Sequence, residues 1–373
     1  MRKKYKIIII GGSVGGLFAG VLFSQQGHDV HIYERSSQGM EGRGAGLVAQ
    51  REVLEILAEI GCEDVAEAGV VARERIFLNH ENEIEARQAT PQSQISWDRL
   101  FTAFRSKMPQ GGYVVGKEAA FVWQAGQRAY VRFSDGEIES ADIILGADGV
   151  GSVVREAVAP GTAPSYAGYV AWRGLFSEAA LGVEDAELLL DRFSFYMMPH
   201  SHVLGYVVAG ADGSIEPPNR RYNWVWYRQA NGAAKLAELL TDSRGRQRQF
   251  SLPPGSMPTN TRKSLIEAAE TLLPASFARA VHLEPQPFIQ AIFDYEAPHF
   301  ARERIALLGD AACIVRPHTA MGVSKAAGDA MSLRNHLEQK SDPLEALAAF
   351  DAERNPIARQ IAAYGRQLGA SLG

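Results

Sequence analysis

Two groups of residues in this 373-residue chain could do chemistry. One is glycine-rich and acidic: Gly11-Gly12-Ser13-Val14-Gly15-Gly16 followed by Glu34, then Asp148 before Gly149, then Asp310 after Gly309. Glycines let backbone approach a ligand closely. A helix opening on such a turn offers free N–H groups and roughly half a positive charge to a phosphate. A carboxylate about 20 residues further on accepts hydrogen bonds from a ribose. The other group consists of imidazoles and a phenol: His200, His202, Tyr206 and His318. A histidine titrates near neutral pH and can take or hold the proton of a ring hydroxyl.

The first group needs strands and helices in a set order, and the sequence supplies them. Ile7–Ile10 reads as a fully buried strand, Leu17–Gln26 as the helix after the turn, and Asp29–Tyr33 as a second strand running into Glu34. Ser13 stands where the fingerprint has its middle glycine and is still small. A glycine-rich turn without a ligand is the bland alternative. A signal peptide is another, since Met1-Arg2-Lys3-Lys4 precedes an uncharged stretch, but five glycines interrupt residues 11–20.

Further along, Arg51–Ile60 and Asp98–Lys107 read as helices, Arg75–Asn79 as a strand, and Tyr130–Phe133 with Glu137–Ser140 as a hairpin. Ile143–Leu145 is a buried strand ending at Asp148-Gly149, with Ser152 and Arg155 on a short helix. From Tyr169 to Gln290 the pattern turns to alternating aromatic strands interrupted by one helix, about Arg262–Leu273. Arg304–Leu308 then resumes the first pattern. Helices follow over most of Gly322–His336, Pro343–Glu353 and Pro356–Leu368. The expected fold class is α/β: a Rossmann-like dinucleotide-binding domain (residues 1–72, 98–163 and 286–373) interrupted by an α+β domain with a mostly antiparallel sheet (residues 73–97 and 164–285).

The net charge of −5, with both signs mixed, gives no reason to expect a nucleic-acid partner. Two distant cysteines, Cys62 and Cys313, cannot make a disulfide framework, so a reducing cytoplasm is expected, and no stretch suggests a membrane span. The histidines lack the carboxylate or cysteine neighbours of a metal site, and no metal is expected.

Gly11–Gly16 with Glu34-Arg35, Gly146-Ala147-Asp148-Gly149 through Arg155, and Gly309-Asp310-Ala311-Ala312 through Asp329-Ala330 together resemble the FAD-dependent aromatic hydroxylases. These are single-component flavoprotein monooxygenases of the para-hydroxybenzoate hydroxylase type. Arg43-Gly44-Ala45-Gly46, Tyr169–Gly174, Asn223–Arg228 and Arg316-Pro317-His318 look most like the dihydroxypyridine hydroxylase branch. The resemblance implies a glutathione-reductase-like FAD domain. It implies FAD contacts at Gly11, Ser13, Val14, Gly15, Gly16, Glu34, Arg35, Arg43, Leu47, Asp148, Gly309 and Asp310, and at the helix start Ala320, Met321, Gly322, Val323 and Ser324. The family often has histidine where Cys313 stands, Gly-Gln-Gly where Ala320-Met321-Gly322 stands, and arginine where Trp97 stands, with Arg99 two residues on.

With a single fingerprint in the chain, NAD(P)H is expected to bind only transiently, and the reduced flavin to take O2 to a C4a-hydroperoxide that hydroxylates an electron-rich ring. The expected substrate is a small hydroxylated aromatic or N-heteroaromatic, hydroxypyridine-like. The assembly stays open between monomer and homodimer. His318 is the first candidate for deprotonating or orienting the substrate, with Tyr206, His200 and His202 behind it; a solvated turn and core packing are the alternatives for these three. A flavin reductase, dehydrogenase or halogenase on the same fold is the competing enzyme, and a nucleotide-binding regulator without turnover the competing class. Trp224-Val225-Trp226 is similar to a halogenase signature, but strand alternation accounts for it as well.

Overall fold

Four consecutive isoleucines leave no polar face for water, so their strand can only be central. In the computed structural model, which describes residues 3–40 and 46–372, Lys6–Ile10 lies inside a six-stranded sheet. The order is Ala301–Arg302, Ile305–Leu307, Ile143–Gly146, Lys6–Ile10, Asp29–Glu34, Tyr113–Val115, and only the Ala301–Arg302 edge is antiparallel. Alternation along Asp29–Glu34 sends Ile32 towards the helix Val14–Gln25, where a Cβ on Gly20 would stand 2.5 Å from the Ile32 methyl. Tyr33 points the other way, to Phe133 on a three-stranded meander with ring centroids 4.7 Å apart. The parallel sheet is thus covered on both faces, as parallel sheets require.

A second sheet runs Ser251–Leu252, Phe288–Glu296, Ser165–Ser177, Arg221–Gln229, Ser201–Val208, Arg192–Met198, Glu74–Leu78, Ile84–Gln88. Every neighbour is antiparallel except Arg192–Met198 with Glu74–Leu78. Its back face carries Trp172, Trp224, Trp226 and Tyr222, packed under Leu265, Ala269, Phe277 and Ala280 of the helices Thr259–Leu272 and Ala275–Leu283. Both tryptophans of the Trp-x-Trp run therefore face away from Val225's side of the sheet, and alternation explains them. The front face carries Tyr169, Arg173, Val225, Tyr227, His202, Leu204 and Tyr206. A small sheet, Gly46–Val48, Gln92–Ser96 and Val70–Ala72, covers one end of that face: a Cβ on Gly46 would stand 2.4 Å from Val208.

Phe288–Glu296 pairs with Ser165–Ser177, with Ser251–Leu252 and, at its end, with Cys313–Ile314, which follows the parallel-sheet strand Ile305–Leu307 closely in the chain. The sequence division above assigns Phe288–Glu296 wholly to the first domain, although its pairing with Ser165–Ser177 reaches Asp294. Helices Val183–Leu189, Ala233–Leu239 and Ala275–Leu283 join the single helix expected between the aromatic strands. They are short or begin after Pro and Gly, so periodicity alone hides them. The two helices expected around Pro356 form one, Pro343–Leu368. Residues on either side of the proline are tied down: before it, Asn355 donates to the carbonyls of Ala297 and Pro298, both at 3.1 Å, and Phe350 is fully buried; after it, Ala358 is fully buried. Tertiary anchoring outweighs the one missing donor.

Asp329 is fully buried on the helix Gly322–Gln339 and gathers two cations and a backbone amide. Lys325 Nζ donates to it at 2.9 Å and to the Gly309 carbonyl at 2.8 Å; Arg354 Nε donates at 2.9 Å and the Gly309 N–H at 3.1 Å. Removing one member of a buried charged set leaves the others unpaired, which costs about 3–5 kcal/mol. Asp329→Ala should lose stability on that scale in denaturant unfolding, and a loss under about 1 kcal/mol would show the cluster to be incidental.

Candidate functional site

The strand–turn–helix at the N-terminus is built so tightly that side chains are excluded from it. A Cβ on Gly11 (φ +108°) would lie 2.3 Å from the Ala147 carbonyl oxygen, and one on Gly16 would lie 2.0 Å from the Gly11 oxygen. Gly15 is different: its missing Cβ meets only Ala326, at 3.5 Å, and that of Gly309 meets the same methyl at 3.6 Å. Gly15 and Gly309 thus open side by side next to the Gly322–Gln339 helix. Ser13 precedes the helix Val14–Gln25 and makes no side-chain cap, leaving the first N–H groups unused. Buried Glu34 accepts from the Gly12 N–H at 2.9 Å and the Ser36 N–H at 2.8 Å. Arg35 beside it is exposed, Leu47 is half-buried, and Arg43 falls outside the described residues.

Two carboxylates border this crevice. Asp148 accepts from the N–H groups of Val153 (2.8 Å) and Val154 (3.4 Å), which bends the chain into the short helix Arg155–Val158; its Oδ1 is buried without a partner, and burial pushes its carboxyl above the ordinary range. Asp310 follows Gly309, which takes φ +56°. Its side chain is open to solvent, yet so much protein surrounds it that desolvation raises its carboxyl, with Lys325 and Arg155 opposing. Among the described residues none hydrogen-bonds that carboxylate.

The crevice leads to the start of the helix Gly322–Gln339. Ala320 is left-handed (φ 53°), Met321 is the N-cap, and the first intrahelical bond runs from the Lys325 N–H to Met321, so the N–H groups of Gly322, Val323 and Ser324 are not spent on the helix. The Ser324 hydroxyl donates to Glu52. The glycine cradle, the orphaned Asp148 oxygen, the unpaired Asp310 carboxylate and this second helix start fit a dinucleotide flavin: phosphates at the first helix, polyol at Asp310, ring edge at the second.

Arg316-Pro317-His318 carries the chain from the crevice onto the front face of the large sheet. There His318 Nε2 lies 2.8 Å from the Tyr169 hydroxyl, and its ring centroid lies 4.5 Å from Tyr227 and 5.4 Å from His202. Burial lowers His318 to about 3, with His202 and Arg316 adding to the effect, and lowers His202 to about 4; both are neutral at pH 7. Arg316 is held by Asp294 at 2.7 Å and 2.9 Å and by the Gly369 carbonyl at 3.2 Å. The Arg316 guanidinium also lies over the Tyr169 ring, 5.4 Å from its centroid. In the tautomer in which the Tyr169 hydroxyl donates to Nε2, the imidazole proton lies on Nδ1.

The other candidates lie elsewhere. Tyr206 is four residues beyond His202 on the same strand, about 13 Å away, stacked on Phe193 and donating to the Gly46 carbonyl at 3.1 Å. His200 sits at an exposed turn (φ 58°), 2.9 Å from the Ser371 carbonyl. It ties down the C-terminal segment, whose Leu372 is fully buried against Tyr169 and Tyr227. Sequence reasoning missed Tyr169, Tyr227, Arg173 and Lys325. The first three stand at alternating positions on strands whose register no local signal sets; Lys325 reads as a surface lysine until Asp329, one turn on, is placed beneath Gly309. Cys313 is buried, with its thiol pushed up to about 12.

A family profile described as FAD binding domain-like matches residues 166–294. The chain is 29% identical to the 2,6-dihydroxypyridine 3-monooxygenase of Paenarthrobacter nicotinovorans over 94% of its length and 87% of the relative's. It is 26% identical to the 6-hydroxynicotinate 3-monooxygenase of Bordetella bronchiseptica over 91% and 84%. The solved structure of 2,6-dihydroxypyridine-3-hydroxylase from Arthrobacter nicotinovorans superposes with a TM-score of 0.93 at 27% identity, covering 100% of this chain and 93% of that one. The dinucleotide cradle facing an aromatic sheet accords with this similarity to FAD-dependent aromatic hydroxylases. Among the described residues no helix is long and apolar enough to cross a membrane.

Charge-assisted hydrogen bonds are worth about 1.5–3 kcal/mol, so Asp310→Ala should raise the FAD dissociation constant roughly ten- to a hundredfold. An unchanged constant in fluorescence titration would place the Asp310 carboxylate away from the cofactor.

Proposed function

We propose that this enzyme uses NAD(P)H and O2 to hydroxylate a small hydroxylated N-heteroaromatic ring of the hydroxypyridine type. The relatives named for dihydroxypyridine and hydroxynicotinate support this class. The observation that carries it is the position of His318, hydrogen-bonded to Tyr169, between the Gly322 helix start and the front face of the large sheet. FAD, reduced by NAD(P)H, supplies activated oxygen to an electron-rich ring. The chain's own residues do the rest. The cradle from Gly11 to Gly16, Glu34, Asp148, Gly309 and Asp310 holds the cofactor. Leu47 and the turn Ala320–Ser324 border its ring. NAD(P)H, lacking a second fingerprint, approaches from the surface, and a small aromatic ring fits between the flavin edge and the sheet.

His318 serves as a donor that orients the substrate. An imidazole that protonates only near pH 3 is a weak base, and with Tyr169 donating to it the Nε2 lone pair is already taken. Its Nδ1–H can donate to a ring oxygen and hold the negative charge that makes the ring electron-rich. His202, 5.4 Å away, borders the same ring, and Tyr206 closes the far end beside Gly46.

A donor and a base separate in one experiment. His318→Ala should retain FAD but consume NAD(P)H with roughly ten- to a hundredfold less hydroxylated product per turnover, releasing hydrogen peroxide instead, as expected for the loss of one charge-assisted donor. His318→Asn keeps a donor without basicity and should recover most of the coupling. Equal losses in both variants would make His318 a base, and normal coupling in both would remove it from the site.

A further inference from the structure

The front face of the large sheet can be read row by row from its register. One row is Ala171, Tyr227, His202 and Met197, and His318 stacks over Tyr227 and His202. Another is Leu175, Asn223, Tyr206 and Phe193, and Gly46 lies over Tyr206. The row between them is Arg173, Val225, Leu204 and Phe195. It is flanked by His318 on one side and Gly46 on the other, which makes it the floor of the space where a ring would lie. Arg173, Leu204 and Phe195 each keep part of their surface open, as floor residues beneath a cavity do.

Arg173 is the one charge in that row, and nothing described balances it. Its Nη1 donates to the neutral amide of Gln290 at 3.0 Å, and its guanidinium lies 5.9 Å from the Phe288 ring centroid. Its Nε is buried without a partner, and among the described residues no carboxylate pairs with it. Glu284, which reaches the same strand, is spent on the N–H groups of Leu175 (2.6 Å) and Gln286 (2.7 Å). The cation is felt on the face, since it opposes the burial that raises Tyr206 and Tyr227. A half-buried guanidinium with donors to spare and no counter-ion is costly unless a ligand supplies the charge. The same face offers no ready base, with His318 and His202 both held neutral and their protonation pushed far into acid.

We infer that the site takes its substrate already ionised, as an aromatic oxyanion whose negative edge pairs with the Arg173 guanidinium. This rests on the reading of a hydroxylated ring as substrate and narrows it: the ring arrives as its anion, and the enzyme selects that form instead of making it. His318 Nδ1–H then approaches the anion from one side of the floor, and Arg173 from within the floor's own row.

Equilibrium binding to the oxidised, FAD-loaded enzyme tests this without turnover. 4-Nitrophenol reports its own ionisation by colour, and benzoate with benzamide forms a near-isosteric pair differing in one charge. The wild type should lower the apparent pKa of bound 4-nitrophenol, which assigns a ring oxyanion. Binding of benzoate but not benzamide, without that shift, assigns a ring carboxylate as the recognised oxyanion. Arg173→Gln should weaken the anionic probe roughly ten- to a hundredfold while leaving FAD content and melting temperature intact, and Arg173→Lys should restore part of the loss. Equal affinity for charged and neutral probes, no binding of either anion by the wild type, or an Arg173→Gln enzyme that binds anions normally would overturn the inference. Failure of the hydroxylase reading shows differently: no hydroxypyridine would stimulate NAD(P)H oxidation, whatever the probes bind.

Discussion

The buried carboxylate of Asp329 is the contact on which the geometry of this enzyme depends. It accepts from the Gly309 N–H, from Lys325 and from Arg354, and so joins the end of one parallel strand, the helix Gly322–Gln339 and the helix Pro343–Leu368. Asp329 and Lys325 are fully buried and Arg354 nearly so, so none can leave without exposing another to an apolar surround. The consequence is positional. Gly309 is fixed in its left-handed turn, Asp310 is turned out into the crevice, and the free N–H groups at Gly322 stand at a set distance from those at Val14. A cofactor with phosphates at one end and a ring at the other needs both helix starts held in one frame.

The second constraint is the register of the large sheet. Trp224 and Trp226 are locked into the helix-covered back face, so Val225 and Tyr227 must face front, and the pairing with Ser165–Ser177 and Ser201–Val208 then brings Tyr169, Arg173 and His202 onto the same side. The loop Arg316-Pro317-His318 is clamped by Asp294 and by the carbonyl of Gly369. The placement of the front-face side chains is therefore a product of packing on the opposite side of the sheet.

Much of the cofactor half was legible because its signals are local. A strand of four isoleucines, a glycine turn and Glu34 at the expected distance all lie within 30 residues, and the two later strand ends at Asp148 and Asp310 repeat the pattern. The substrate half was legible only as aromatic alternation. Which of two alternating sets faces His318 and which faces the covering helices is a question of register, and a slip of one residue exchanges them. His318 could be singled out because it follows Arg316-Pro317 in sequence, whereas its partner Tyr169 stands 149 residues away. Tyr206 and His202 looked equivalent in sequence; the strand separates them, one stacked on Phe193 and the other beside His318. The continuous helix across Pro356 shows the same limit, because its anchors at Ala297 and Pro298 lie nearly 60 residues away, at separations of 58 and 57.

The most direct test of the account is turnover of a hydroxypyridine by the FAD-loaded enzyme with NAD(P)H under isotopically heavy dioxygen, read by mass spectrometry of the product. A flavoprotein monooxygenase places a single heavy oxygen atom on the ring for each NAD(P)H consumed. A product whose new oxygen comes from water, or NAD(P)H oxidation that yields peroxide with every hydroxylated N-heteroaromatic offered, would contradict it.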